Sequence, residues 1–194
     1  FHTVEAQSVW KEYTADYYRM DGFYRRFHLA YAESVKVFQG ELNDLFAQVA
    51  ENVEGLYVHW FLDQLGENWT KAIEDDLKQS GKIAEVPQQE DFYTKWVHAA
   101  DGKVVVIISD ALRYEVAASL TEQLKRETQS KVELTAMQGI FPTITKFGIA
   151  ALLPHKQLSV EVKGNGSLSV QADGLPTDSG YRGAVLKAAN PRSI

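Results

Sequence analysis

The 194-residue sequence has the composition of an ordinary globular protein, with 45% hydrophobic and 24% charged residues, and this balance excludes a disordered chain. Its net charge of -6 argues against a broad nucleic-acid-binding surface and leaves room only for a local basic patch. The absence of cysteine excludes disulfides and thiolate metal sites, so a metal would be held by oxygen or imidazole ligands. We therefore expect a cytoplasmic protein, and no apolar run is long enough to span a membrane.

The first part of the chain, residues 1–86, is predicted to be a helical region. Apolar residues recur at steps of three and four over residues 10–38 and again over residues 42–61, which predicts two long helices. The Gln39-Gly40 pair between them predicts a short loop and an antiparallel hairpin. Gly66 is expected to end the second helix, before a third and shorter one.

The second part, residues 87–194, is predicted to begin an α/β core. Val104 to Ile108 form an unbroken β-branched run, which is typical of a strand covered on both faces in a parallel sheet. Asp110 follows that run, then a helical pattern, then a second strand candidate over residues 132–136. This βαβ unit places Asp110 at the carboxyl end of a strand, where such sheets bind ligands.

A second polar position lies in the stretch FPTIT, residues 141–145, which precedes an apolar run over residues 147–153. Thr145 is therefore predicted to lie near the N-terminus of a helix, where backbone N–H groups and the helix dipole favour a phosphate. The carboxylate of Asp110 suits a divalent cation. Both residues could instead be simple helix caps, and the spacing alone favours that simpler interpretation.

The last part of the chain changes to alternation of apolar and polar residues. Two short alternating runs flank Asn165-Gly166, which predicts a hairpin over residues 158–171. A final helix is expected within residues 178–189.

Two motifs carry a resemblance to a known family. VVVIISDALRYE and FPTITKFGIAALLPH resemble the PglZ family of the BREX bacteriophage-defence systems, a branch of the alkaline phosphatase superfamily. YTADYYRMDGFYRRF is similar to the helical region that precedes that core. The resemblance implies an α/β fold class, with an N-terminal helical region followed by the first part of an alkaline-phosphatase-like α/β/α core that is incomplete in this chain.

The resemblance also implies roles for individual residues. Asp110 matches the first metal-binding Asp of the superfamily, and Thr145 matches its metal-activated nucleophile, which is itself a metal ligand; zinc is the metal expected by analogy. Two neighbouring basic residues, Arg113 and Lys146, are candidate substrate ligands. Arg113 could equally pair with Glu115, and Lys146 could simply face water.

By the same resemblance, the expected function is that of a metal-dependent phosphatase or phosphodiesterase acting with other phage-defence proteins on a phosphoester, away from any membrane. The Asp and His motifs that complete such metal sites do not occur before Ile194, so we expect a fragment of a longer protein that is inactive alone. The alternative is a non-catalytic interaction module that keeps the phosphatase fold.

Two other Asp-dependent folds are disfavoured. A haloacid dehalogenase is excluded because Leu112 occupies the position of its second Asp. A response regulator would need further acidic residues beside the phosphorylated Asp and a compact domain without the helical extension.

Overall fold

The computed structural model describes residues 5–37 and 42–194, so the loop predicted at Gln39-Gly40 lies outside the described residues. The chain forms two compact units. One takes Phe1–Ala84 and Ala111–Thr135, as far as these are described, and the other takes Glu85–Asp110 and Ala136–Ile194. Helices and a small sheet together confirm the mixed α/β class.

The first unit is made of helices. A continuous helical path runs through α1 (Ala6–Glu12), a π-helical stretch (Tyr13–Tyr17) and α2 (Tyr18–Val37). A second path runs through α3 (Leu42–Glu54), a π-helical stretch (Gly55–Leu62) and α4 (Asp63–Ser80). Helix α5 (Tyr114–Glu127) completes the unit. The buried apolar residues of this unit are Val9, Tyr57, Phe61, Ile73, Ile83 and Ala118.

The end predicted at Gly66 is wrong, because the helix continues through it to Ser80. A single glycine weakens a helix interior by only about 1 kcal/mol relative to alanine, which the neighbouring turns outweigh. The actual stop is Gly81, whose φ of 69° lets its N–H bond to the Leu77 carbonyl as a left-handed cap.

The second unit combines short helices with a hairpin. Gln89–Asp91 form a 3₁₀ turn and Tyr93–His98 a π-helical stretch, followed by α6 (Thr145–Leu152). The antiparallel sheet has the order β1 (Leu158–Val162), β2 (Leu168–Ala172) and β3 (Leu175–Pro176). Helix α7 (Arg182–Ala189) follows. One buried apolar cluster of this unit consists of Leu153, Ala172 and Val185.

The β1–β2 pair is the hairpin over residues 158–171, with Val160 opposite Val170. Its turn contains Asn165 and Gly166; Gly166 has a φ of 77°, a conformation that glycine adopts without a Cβ clash. The Lys163 N–H donates to the Ser167 carbonyl and closes the turn.

The two predicted parallel strands do not form among the described residues. Residues 103–109 and 131–137 belong to no helix or strand, and the side chains from Val104 to Ile108 are exposed, Ile107 to 88%. The expectation of a covered strand is therefore wrong for this structure. A β-branched run sets a preference for extended backbone, but a strand also needs a neighbouring segment that supplies ladder partners. Among the described helices, none combines the length and apolar character needed to cross a membrane.

Candidate active site

The site centres on a hydrogen bond between Asp110 and Thr145. The Thr145 hydroxyl donates to Oδ2 of Asp110 at 3.0 Å, although 35 residues separate the two in sequence. Both side chains are exposed. The expected proximity of the carboxylate and the hydroxyl is therefore confirmed, within one unit of the fold.

Neither residue acts as a helix cap. Helix α6 begins at Thr145 with Ile144 in the N-cap position, and α5 has Arg113 in that position; neither helix has a side-chain cap hydrogen bond. The capping interpretation, which the spacing alone favours, is thus wrong. The hydroxyl and the carboxylate bind each other across 35 residues of sequence.

The backbone next to Asp110 is strained. Ala111 has a φ of 57°, in the left-handed region that residues with a Cβ occupy at a cost of about 1 kcal/mol or more. This turn directly follows Asp110 and precedes α5. Nothing in the residue type of Ala111 indicated this conformation.

Helix α6 is positioned by Gln89, which sequence reasoning missed. The Gln89 side-chain carbonyl accepts the N–H of Ile140 at 3.0 Å, and its backbone N–H donates to the Gln138 carbonyl at 2.9 Å. The same side chain lies over Gly148 in α6: a Cβ there would be 3.6 Å from Nε2 of Gln89. Gln89 therefore bridges the segment before FPTIT and the helix that begins at Thr145, and the glycine facing it was the available signal.

The two candidate substrate ligands have partners elsewhere in their own units. The Lys146 ammonium donates to the Leu168 carbonyl at the start of β2, at 2.6 Å. In the first unit, Nε of Arg113 lies 3.2 Å from Oε1 of Glu115. A hydrogen bond with Tyr57 is the main cause that raises the pKa of Arg113 above its ordinary value. Substrate binding by these two residues stays a prediction.

Arg113, whose side chain is 63% exposed, reaches a polar cluster around the buried Asp21 and Glu115 that also contains Tyr13 and Tyr57. Asp21, only 4% exposed, accepts hydrogen bonds from the hydroxyls of Tyr13 at 2.7 Å and Tyr57 at 2.6 Å. Burial, followed by the bond to Asp21, raises the pKa of Tyr57 to about 12. The hydrogen bonds of Asp21 fix packing between helices, and the cluster joins α2, the π-helical stretch after α3, and α5.

Comparison with known proteins settles the family. Residues 92–187, which contain both motifs, match the family model described as the BREX system PglZ alkaline phosphatase-like domain. The chain belongs to the PglZ family. The resemblance identified from the sequence is thereby confirmed.

Two curated PglZ-type relatives extend this match to the helical region. The alkaline phosphatase-like protein BrxZ of Escherichia coli O9:H4 (strain HS) is 34% identical over 203 residues, which cover 97% of this chain and 23% of that protein. The alkaline phosphatase-like protein PglZ of Bacillus cereus (strain H3081.97) is 34% identical over 154 residues, which cover 78% of this chain and 17% of that protein. The chain thus spans less than a quarter of either relative. No solved structure is significantly similar to it.

The donor atoms of this PglZ-family chain fit a divalent cation in kind. Asp110 and Thr145 present two oxygens 3.0 Å apart, and oxygen donors suit hard or borderline cations. Over residues 5–37 and 42–194, no group of three or more His, Cys, Asp or Glu side chains is arranged to hold a metal. Two protein ligands are fewer than the three that catalytic zinc usually has, so a complete site requires further ligands.

Proposed function

We propose that this chain is part of a metal-dependent phosphoester hydrolase that acts in bacterial defence against phage, with Thr145 as the nucleophile. The observation that carries the proposal is the exposed hydrogen bond from Thr145 to Asp110 at the first residue of α6. Membership of the PglZ family supports the link to phage defence, with other defence-system proteins as partners in the bacterial cytoplasm.

The proposed chemistry uses three features of the site. Asp110 holds the Thr145 hydroxyl in one orientation, and exposure of both side chains leaves room for a phosphate mono- or diester. The Thr145 oxygen gives up its proton to solvent and attacks phosphorus, and the ester oxygen leaves as an alcohol after it takes up a proton. Water then hydrolyses the bond to Thr145 and releases phosphate or, from a diester, a phosphate monoester. The amides of Thr145 and Lys146 precede the first intrahelical bond of α6, which the Phe147 N–H makes, so they are available to the non-bridging oxygens.

A divalent ion bound by Asp110 and Thr145, with zinc as the first candidate, would lower the pKa of the Thr145 hydroxyl. Because this chain supplies two of its ligands, we expect residues 1–194 alone to show no efficient turnover. An unactivated threonine is an ordinary alcohol and a poor nucleophile at neutral pH.

The test compares two threonines of the same segment in the full-length protein. Chromogenic phosphate mono- and diesters are assayed with added zinc, manganese or magnesium. Thr145→Ala is expected to lower the rate at least about 10³-fold, as removal of a nucleophile does, while Thr143→Ala leaves it near wild type. Full activity of Thr145→Ala would refute the proposed nucleophile.

The alternative function is a non-catalytic interaction module of a defence complex. Exposed apolar residues along α3 favour it. If the full-length protein hydrolyses neither ester with any of the three metals, the interaction module becomes the better explanation.

A further inference from the structure

Helix α3 and the π-helical stretch after it have two adjacent apolar rows. The inner row is half-buried or buried and consists of Phe46, Ala50, Val53, Tyr57 and Phe61. The outer row consists of Leu42, Leu45, Val49 and Leu56, which are between 41% and 61% exposed. Three of these four residues directly precede a member of the inner row, so the outer row lies about 100° around the helix from it. One face packs within the unit and the next is presented to solvent.

The spacing of the outer row is that of a coiled-coil seam. Leu42, Leu45, Val49 and Leu56 occupy a, d, a and a positions of a heptad repeat, and Asn52 takes the remaining d position. A row of this kind matches the knobs of a second helix better than it matches a strand or a loop. The half-exposed Trp60 continues the row for one more turn.

The helical path that carries this row is acidic. Asp44 and Glu51, both exposed, take c positions of this repeat, which lie beyond the flanking g positions on the side away from the inner row. Over residues 42–80 there are eight Asp and Glu residues against two Lys, a net charge of -6. Both lysines, Lys71 and Lys78, pair with acidic side chains within α4.

We propose that the outer row is the docking site for a basic amphipathic helix of a partner protein. The apolar seam supplies contact area, and the net negative charge of residues 42–80 attracts lysine and arginine beside the partner's own apolar stripe. A second copy of this chain fits poorly, since it would bring one segment of net charge -6 against another. This docking does not depend on the proposed hydrolysis.

The test uses the full-length protein and two fluorescent peptides of about three heptads, with leucine at a and d. One peptide has lysine at e and g and the other has glutamate. The lysine peptide is expected to bind at least about tenfold more tightly, with an affinity that falls as salt is raised. Binding should shift the emission of Trp60, a change that Trp60→Phe removes.

Two variants locate the site. Leu45→Asp is expected to weaken binding of the lysine peptide at least about tenfold, since it places a charge in the seam. Leu120→Asp, at a similarly exposed leucine on α5, should leave binding unchanged. Circular dichroism melting of both variants checks that they fold.

Four results would overturn the proposal. Equal affinity for the two peptides would show that charge does not select the partner. Equal loss of affinity in Leu45→Asp and Leu120→Asp would show that the outer row is not the binding site. A doubled mass in light scattering that Leu45→Asp reverses makes a second copy the occupant. Failure of both peptides to bind means that the full-length protein already covers the row.

Discussion

Two aspartates of this chain accept hydrogen bonds from hydroxyl groups in opposite surroundings. In the helical unit, the buried Asp21 accepts bonds from Tyr13 and Tyr57 at 2.7 and 2.6 Å. In the second unit, the exposed Asp110 accepts one bond from Thr145 at 3.0 Å. The bonding is alike, and the exposure to water differs.

The difference in exposure predicts different roles for the two aspartates. A buried carboxylate must have its hydrogen bonds made, because an unsatisfied charge in a low-dielectric interior is costly. An exposed carboxylate can exchange its partner for water, a cation or a substrate at little cost to the fold. Asp21 is therefore expected to support stability, and Asp110 to be dispensable for folding and available for function.

The largest expected effect contrasts the two aspartates directly. Asp21→Ala leaves two tyrosine hydroxyls and part of the charge of Arg113 without their buried partner, and should lower the free energy of unfolding by about 3 kcal/mol. Asp110→Ala should change it by less than about 0.5 kcal/mol, as for most exposed sites. Urea unfolding followed by circular dichroism measures both. Equal losses would contradict the division of roles.

The next largest effect is the loss of stability when one tyrosine hydroxyl is removed from a buried carboxylate or from a more exposed one. Tyr57→Phe removes a hydroxyl from Asp21 and should cost about 1–2 kcal/mol. The matched control is Tyr17→Phe, which removes a hydroxyl from Glu12 at 2.8 Å in a part-buried pair and should cost about 0.5 kcal/mol or less. The two midpoints in urea give the comparison. A larger loss at Tyr17 would show that burial does not decide the strength of these bonds.

The sequence predicted the proximity of Asp110 and Thr145 in the second unit better than the network of the first unit. The motifs around Asp110 and Thr145 are local, and the start of α6 at Thr145 follows from the apolar run after it. Asp21 and Tyr57 are 36 residues apart in sequence, so their hydrogen bond depends on how two helical segments pack. Helical spacing indicated only that the tyrosines face a packing surface. The run from Val104 to Ile108 failed as a strand for the same reason, since its pairing is non-local.

The buried network should also make stability sensitive to alkaline pH. Burial and the bond to Asp21 raise the pKa of Tyr57 to about 12, whereas an unfolded tyrosine titrates near 10. The folded state holds the proton more tightly, so its contribution is complete below pH 10 and is lost as the pH rises towards 12. The free energy of unfolding should therefore fall more steeply across that window in the wild type than in Tyr57→Phe. If the free energy of unfolding falls equally with pH in both proteins, the titration of Tyr57 does not cause the loss of stability.

The smallest effect concerns the contact that positions α6. Gly148 lies inside this helix, and an added Cβ would meet Nε2 and Oε1 of Gln89 at 3.6 and 3.9 Å, which is ordinary van der Waals contact. Alanine lowers the entropy of the unfolded chain and favours helix, so Gly148→Ala should raise the free energy of unfolding by about 0.5–1 kcal/mol. Gly66→Ala in α4, where a Cβ meets nothing within 4 Å, is the control and should give a similar gain.

At a third glycine, substitution by alanine should lower the free energy of unfolding. Gly81 has a φ of 69°, so Gly81→Ala should destabilise the chain by about 1 kcal/mol. Thermal melts of the three variants separate backbone conformation from packing. A loss at Gly148 beside a gain at Gly66 would mean that Gln89 presses on α6 more tightly than a methyl group allows. Gln89 would then hold Thr145 in place by packing as well as by its hydrogen bond to Ile140.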